Sequence, residues 1–116
     1  MNLKVRTAYF FMTNTKIIPI NITDNAKEQV NKALIIKGIP ENYFLRIGLR
    51  GGACSATYFI GFDKMEDLDD LYKIENLNIG LLIKRPHLMY LMGVELDFEE
   101  EGNGYTFSPL TPNGGI

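Results

Sequence analysis

Leu45–Phe62, LRIGLRGGACSATYFIGF, decides the fold. Leu45, Ile47 and Leu49 alternate with Arg46, Gly48 and Arg50, and Tyr58 to Phe62 repeats the alternation, the period-two pattern of half-buried strands. Gly51, Gly52, Ala53, Ser55 and Ala56 stand between the two runs. The stretch therefore predicts a hairpin, with Cys54, the chain's one cysteine, at or near its end.

Upstream, Thr23, Asp24 or Asn25 can cap a helix whose buried face is Ala26, Val30, Ala33, Leu34 and the stem of Lys37. Gly38 followed by Ile39-Pro40 stops it. Downstream, Asp63 to Asp70 (DKMEDLDD) reads as a solvated loop or short helix, with a metal-binding acidic cluster as the alternative. Leu77, Ile79, Leu81 and Ile83 alternate as a further strand. Pro86 suits the first position of a short helix ending at Gly93, and Val94, Leu96 and Phe98 form the next strand. Gly102-Asn103-Gly104 is a turn, Tyr105 and Phe107 begin the return strand, and SPLTPNGGI reads as a mobile tail. Short strands with two helices, in this order, predict a mixed or antiparallel two-sheet structure covered by helices.

The 116 residues, 46% hydrophobic, suffice for one domain with its own core. A formal net charge of −2 argues against a nucleic-acid partner. No run approaches the ~20 apolar residues of a membrane span, and Ala8 to Met12 is short for a signal-peptide core. With one cysteine no intrachain disulfide forms, which suits the cytoplasm. Residues 1–16 read as an N-terminal extension, either an extra edge strand or a tail, and Met12 is an alternative start.

The inventory offers little classical catalysis. One His and one Cys make a nucleophile pair only if His87 folds beside Cys54; otherwise His87, after Pro86 at a helix start, is an exposed and uninvolved imidazole. No phosphate loop, dinucleotide fingerprint or zinc motif is present, and the protein is expected not to be an enzyme. Asp97, Glu99 and Glu101 face away from Leu96 and Phe98, as on a solvated strand. Cys54 reads either as a buried small hydrophobe or as a ligand or reactive thiol. Its small neighbours let a bulky group approach, and Arg46 and Arg50 would favour thiolate if their side chains reach it. Ser55 reads as a turn hydroxyl.

Four blocks in this order resemble the HesB-like, A-type iron-sulfur carrier family: the helix start at Thr23-Asp24, the glycine-rich Cys54 segment, Tyr90-Leu91-Met92-Gly93 with Leu96-Asp97-Phe98, and Gly104-Tyr105-Thr106-Phe107. The resemblance covers Ile20 to Phe107. It implies a mainly β (α+β) fold, a two-sheet mixed sandwich capped by two short helices, over residues 17–108, with 109–116 a flexible tail. It also implies iron or an iron-sulfur cluster as cargo, Cys54 as metal and cluster ligand, and delivery to acceptor proteins. Partners would be iron-sulfur assembly and acceptor proteins. The family's C-terminal C-G-C pair is missing, since the chain ends Asn113-Gly114-Gly115-Ile116, and Ala53 and Ala56 replace glycines. Clusters are usually held by four thiolates. A homodimer would supply two, with glutathione, a partner's cysteines or oxygen ligands completing the set. The alternative is a degenerate domain that has lost cluster binding and serves as an interaction or structural module.

Overall fold

The computed structural model describes residues 17–51, 57–102 and 104–109. β1 (Ile20–Ile22) passes through Thr23 into α1 (Asp24–Ile36). Thr23 has extended backbone and its hydroxyl accepts the Ala26 amide at 3.2 Å, satisfying one orphan donor of the first turn. Asp24 adds a carboxylate at the positive end of the helix. The helix stops where Gly38 turns left-handed at φ +60. Its amide donates to Ile35 O and that of Ile39 donates to Leu34 O, the paired bonds of a glycine stop. Ala26 and Val30 are buried and Ala33 and Leu34 half-buried, as expected. Lys37 is a correction: it is the cap residue beyond the last turn and lies exposed.

β2 (Phe44–Arg50), β3 (Thr57–Asp63), β4 (Asp69–Tyr72) and β5 (Leu81–Lys84) form one sheet in the order β3-β2-β5-β4. A 3-10 turn, Arg85–His87, then enters the short helix α2 (Leu88–Leu91), and Gly93 follows at φ +76. β6 (Val94–Glu99) and β7 (Gly104–Pro109) join β1 in the second sheet, order β1-β6-β7. The β1–β6 and β2–β5 pairs are parallel and the other pairs antiparallel. The fold is thus α+β and mainly β, a mixed two-sheet arrangement as expected.

One apolar core joins the layers. Ile20, Ile22, Val94 and Leu96 from the small sheet, Leu45, Ile47, Leu81 and Ile83 from the large one, and Ala26, Val30 and Leu91 from the helices meet there. Fully burying a side chain of this size is worth roughly 1.5–3 kcal/mol.

Two strands escaped sequence analysis. Ile20-Asn21-Ile22 is too short to show a period, and β4 begins inside the acidic run expected to be loop or helix. The Leu77–Ile83 alternation becomes a strand only from Leu81, because the preceding segment is drawn toward α1. Asn31 donates to Asn76 O and accepts the Asn78 amide. β7 runs to Pro109, which pairs with Val94, one residue into the expected tail. The expectations for residues 1–16, for the Asn103 turn position and for 110–116 lie outside the described residues. Among the described residues no helix is long and apolar enough to cross a membrane.

Candidate functional site

The hairpin of β2 and β3 carries the candidate residue. Arg50 and Thr57 are register partners, so residues 51–56 connect the last rung of the ladder. Cys54 belongs to that connection and, with Ser55 and its small neighbours, lies outside the described residues. What the structure describes is the frame that holds both legs of the hairpin.

At the end remote from Cys54 the frame is ionic. Arg46 was expected on the open face of a half-buried strand, but β2 lies between β3 and β5 and is buried on both faces there. Its guanidinium, 6% exposed, donates through Nε to Asp63 Oδ2 at 2.8 Å. Nη1 and Nη2 reach the two carboxylate oxygens of Asp69 at 2.7 and 2.6 Å. Nη2 also donates to Lys64 O. The Asp69 side chain is fully buried, and its Oδ2 accepts the Glu66 amide as well. The side-chain bond to Asp69 raises the Arg46 pKa, and the same bond is the main cause holding the Asp69 carboxyl below its usual range. Asp63 is lowered first by the Lys64 amide and then by Arg46.

This corrects two expectations. Arg46 is committed to carboxylates at the far end of β2 and does not serve the Cys54 thiol. The acidic run is the expected exposed loop only in its middle, residues 64–68; at its ends Asp63 and Asp69 stand in strands and neutralise a buried cation, as a buried charge requires, and hold no metal. Among the described residues no group of three or more His, Cys, Asp or Glu could hold a metal ion.

At the Cys54 end the frame is held without ion pairs, by neutral hydrogen bonds, ring contacts and close packing. Arg50, the last residue of β2, holds its guanidinium 4.6 Å from the ring centroid of Phe59. His87 is half-buried, and its Nδ1 accepts the Leu49 amide at 3.3 Å, so it is not the exposed, uninvolved imidazole that sequence analysis expected. On the other leg, Tyr58 donates through its hydroxyl to Tyr90 O and stacks on Phe107 of the second sheet with ring centroids 5.0 Å apart. The outward carboxylates of β6 are also engaged: Asp97 accepts the Thr23 hydroxyl at 2.6 Å and Glu95 accepts from Asn21. Thr23 is the first cause of the lowered Asp97 pKa. That face is partly bonded rather than wholly solvated. The Thr23 hydroxyl accepts from α1 and donates to β6 at once, a link that spacing alone does not reveal.

The family model described as iron-sulphur cluster biosynthesis matches residues 18–114. The chain belongs to that family. An iron-sulfur cluster insertion protein ErpA from Haemophilus ducreyi is 37% identical over 103 residues, covering 88% of this chain and 89% of that protein. Its counterpart from Actinobacillus pleuropneumoniae is 39% identical over 97 residues, covering 83% and 84%. Among solved structures, an Aquifex aeolicus protein determined by NMR in solution aligns at TM-score 0.58 and 29% identity, over 80% of this chain and 93% of that one. Escherichia coli SufA, whose structure is described as involved in biosynthesis of iron-sulfur clusters, aligns at TM-score 0.58 and 19% identity over 77% and 76%, a likeness of fold. The family match takes in both the hairpin connection with Cys54 and the C-terminal segment as far as Gly114.

Proposed function

We propose that this chain takes part in iron-sulfur cluster assembly as a carrier rather than an enzyme. It binds iron or a labile cluster through Cys54 between two copies of the chain and passes it to acceptor proteins, in the cytoplasm. The observation that carries the proposal is the place of the single cysteine: it stands in the connection that closes the β2–β3 hairpin, in a family defined by iron-sulphur cluster biosynthesis. The relatives named insertion proteins support the direction of transfer, from this chain to an acceptor.

The chemistry follows from the donor set. Thiolates are soft ligands suited to iron in clusters, and one chain supplies one. Two chains joined near the hairpin end supply two, leaving remaining positions for glutathione, an acceptor's cysteines or oxygen donors. An incomplete protein ligand set makes the cargo easy to hand over. The cargo enters and leaves, so it is substrate in the transfer and not a fixed part of the protein.

A second reading is favoured by one feature, Gly114-Gly115 where the family places its C-terminal thiols. On that reading the domain has lost its cargo and works as an interaction module. Anaerobic reconstitution with ferrous iron and sulfide separates the two. Wild type is expected to take up a visible chromophore with matching iron and sulfide, and Cys54→Ala to take up neither. A colourless wild type overturns the carrier reading and leaves the domain without its cargo.

A further inference from the structure

The amides of β2 point alternately to its two neighbours. Leu45 donates to Gly80 O on the β5 side, so Ile47 and Leu49 point that way too. β5, however, ends at Lys84, and the chain leaves the sheet at Arg85-Pro86. The Leu49 amide therefore projects beyond the end of β5, where a donor left without partner would cost about 1–3 kcal/mol. His87 Nδ1 fills the place of the missing strand.

Gly48 makes the room. A Cβ built there would stand 2.9 Å from His87 Nδ1 and 3.1 Å from Phe59 Cε1, so the imidazole occupies the space of an absent side chain. Across the ladder Leu49 pairs with Tyr58, which is bonded to Tyr90 O. Both legs of the hairpin are thus held by one short segment, residues 85–91, a single rung before the Arg50–Thr57 pair that bears the Cys54 connection.

We infer that His87 is a positioning residue for cargo binding: its Nδ1 completes the β2 ladder at Leu49 and fixes the base from which Cys54 is presented. This rests on the reading of Cys54 as ligand. The bond also decides what His87 does not do. An N–H aimed at Nδ1 requires the lone pair there, which leaves the proton of the neutral ring on Nε2, and a protonated nitrogen does not ligate iron. His87 braces the hairpin and is not a substitute for the missing thiols.

Three variants test this, because the amide oxygen of Asn reproduces the position of Nδ1, while that of Gln reaches the position of Nε2. In His87→Ala, hydrogen exchange of the Leu49 amide in the metal-free protein is expected to accelerate about tenfold or more. Bound iron and sulfide after anaerobic reconstitution are expected to fall by at least about half. His87→Asn restores both and His87→Gln restores neither. Iron uptake rescued by Gln and not by Asn would overturn the inference in favour of an Nε2 ligand. Unchanged Leu49 exchange in His87→Ala, or full iron uptake by that variant, would also overturn it. If wild type takes up no iron, the Cys54 reading and the positioning role fall together, and the Leu49 exchange rate still decides whether the bond exists.

Discussion

The two ends of the β2–β3 hairpin are held by different physics. At the far end a buried arginine is hydrogen-bonded by two carboxylates and a carbonyl, with Glu66 a third carboxylate at 3.7 Å, a set of charges that must be complete or cost dearly. At the Cys54 end, Leu49 and Tyr58 are held by single neutral hydrogen bonds to His87 and Tyr90 O, each worth about 0.5–1.5 kcal/mol. The difference divides the frame: the end remote from Cys54 is fixed by charges that must all be present, and the end that leads into the Cys54 connection is held by weaker single bonds. A register slip of one residue would turn every side chain of β2 to the wrong face and strip Arg46 of its carboxylates.

Breaking the ionic end should have the largest effect. Arg46→Met leaves the buried Asp69 carboxylate without its cation and is expected to cost about 3–5 kcal/mol in urea unfolding. Adding Asp69→Leu should return most of that loss, because it removes the stranded charge. A loss under about 1 kcal/mol in the single variant would mean that Arg46 contributes little to the frame.

At the neutral end, Gly48→Ala sharpens the contrast. The new methyl group must displace His87 or Phe59, at a cost of about 1–3 kcal/mol, and the Leu49 amide should exchange faster. Unaltered stability would show that the imidazole has room to move.

The smallest effect near neutral pH concerns acid. Asp63 and Asp69 have folded pKa values below their unfolded ones, so their stabilisation is complete above the unfolded carboxylate value of about 4. It is lost as pH falls through the folded values. Asp69→Asn should therefore show a shallower decline of stability below about pH 4 than wild type, each measured against its own value at pH 7. An equally steep decline would place the acid sensitivity elsewhere.

Much of this was legible in the sequence because the relevant signals are local. The Thr23 cap, the Gly38 stop, the β2 and β3 alternation and the Pro86 helix start each depend on a few adjacent residues. Arg46 was misread because alternation places a residue on a face without saying whether that face is open, and here Asp63, Lys64 and Asp69 close over it. Its partners lie 17 and 23 residues away. A strand arginine flanked by Leu45 and Ile47, with an acid-rich run following, was the available clue. β4 was hidden for the same reason: Asp69 reads as a solvated charge until its cation is known. The role of His87 had no sequence signal, since it depends on where β5 ends relative to β2. Cys54 was singled out by the small residues around it in one short segment and by a family resemblance that spans Ile20 to Phe107.

The most direct test of the central claim is the native mass of the protein after anaerobic loading with iron and sulfide, with Cys54→Ala beside it. One thiolate per chain predicts that iron appears only on a species of two or more chains, and that the Cys54→Ala protein carries none. Iron held by single chains, or retained without Cys54, would contradict it.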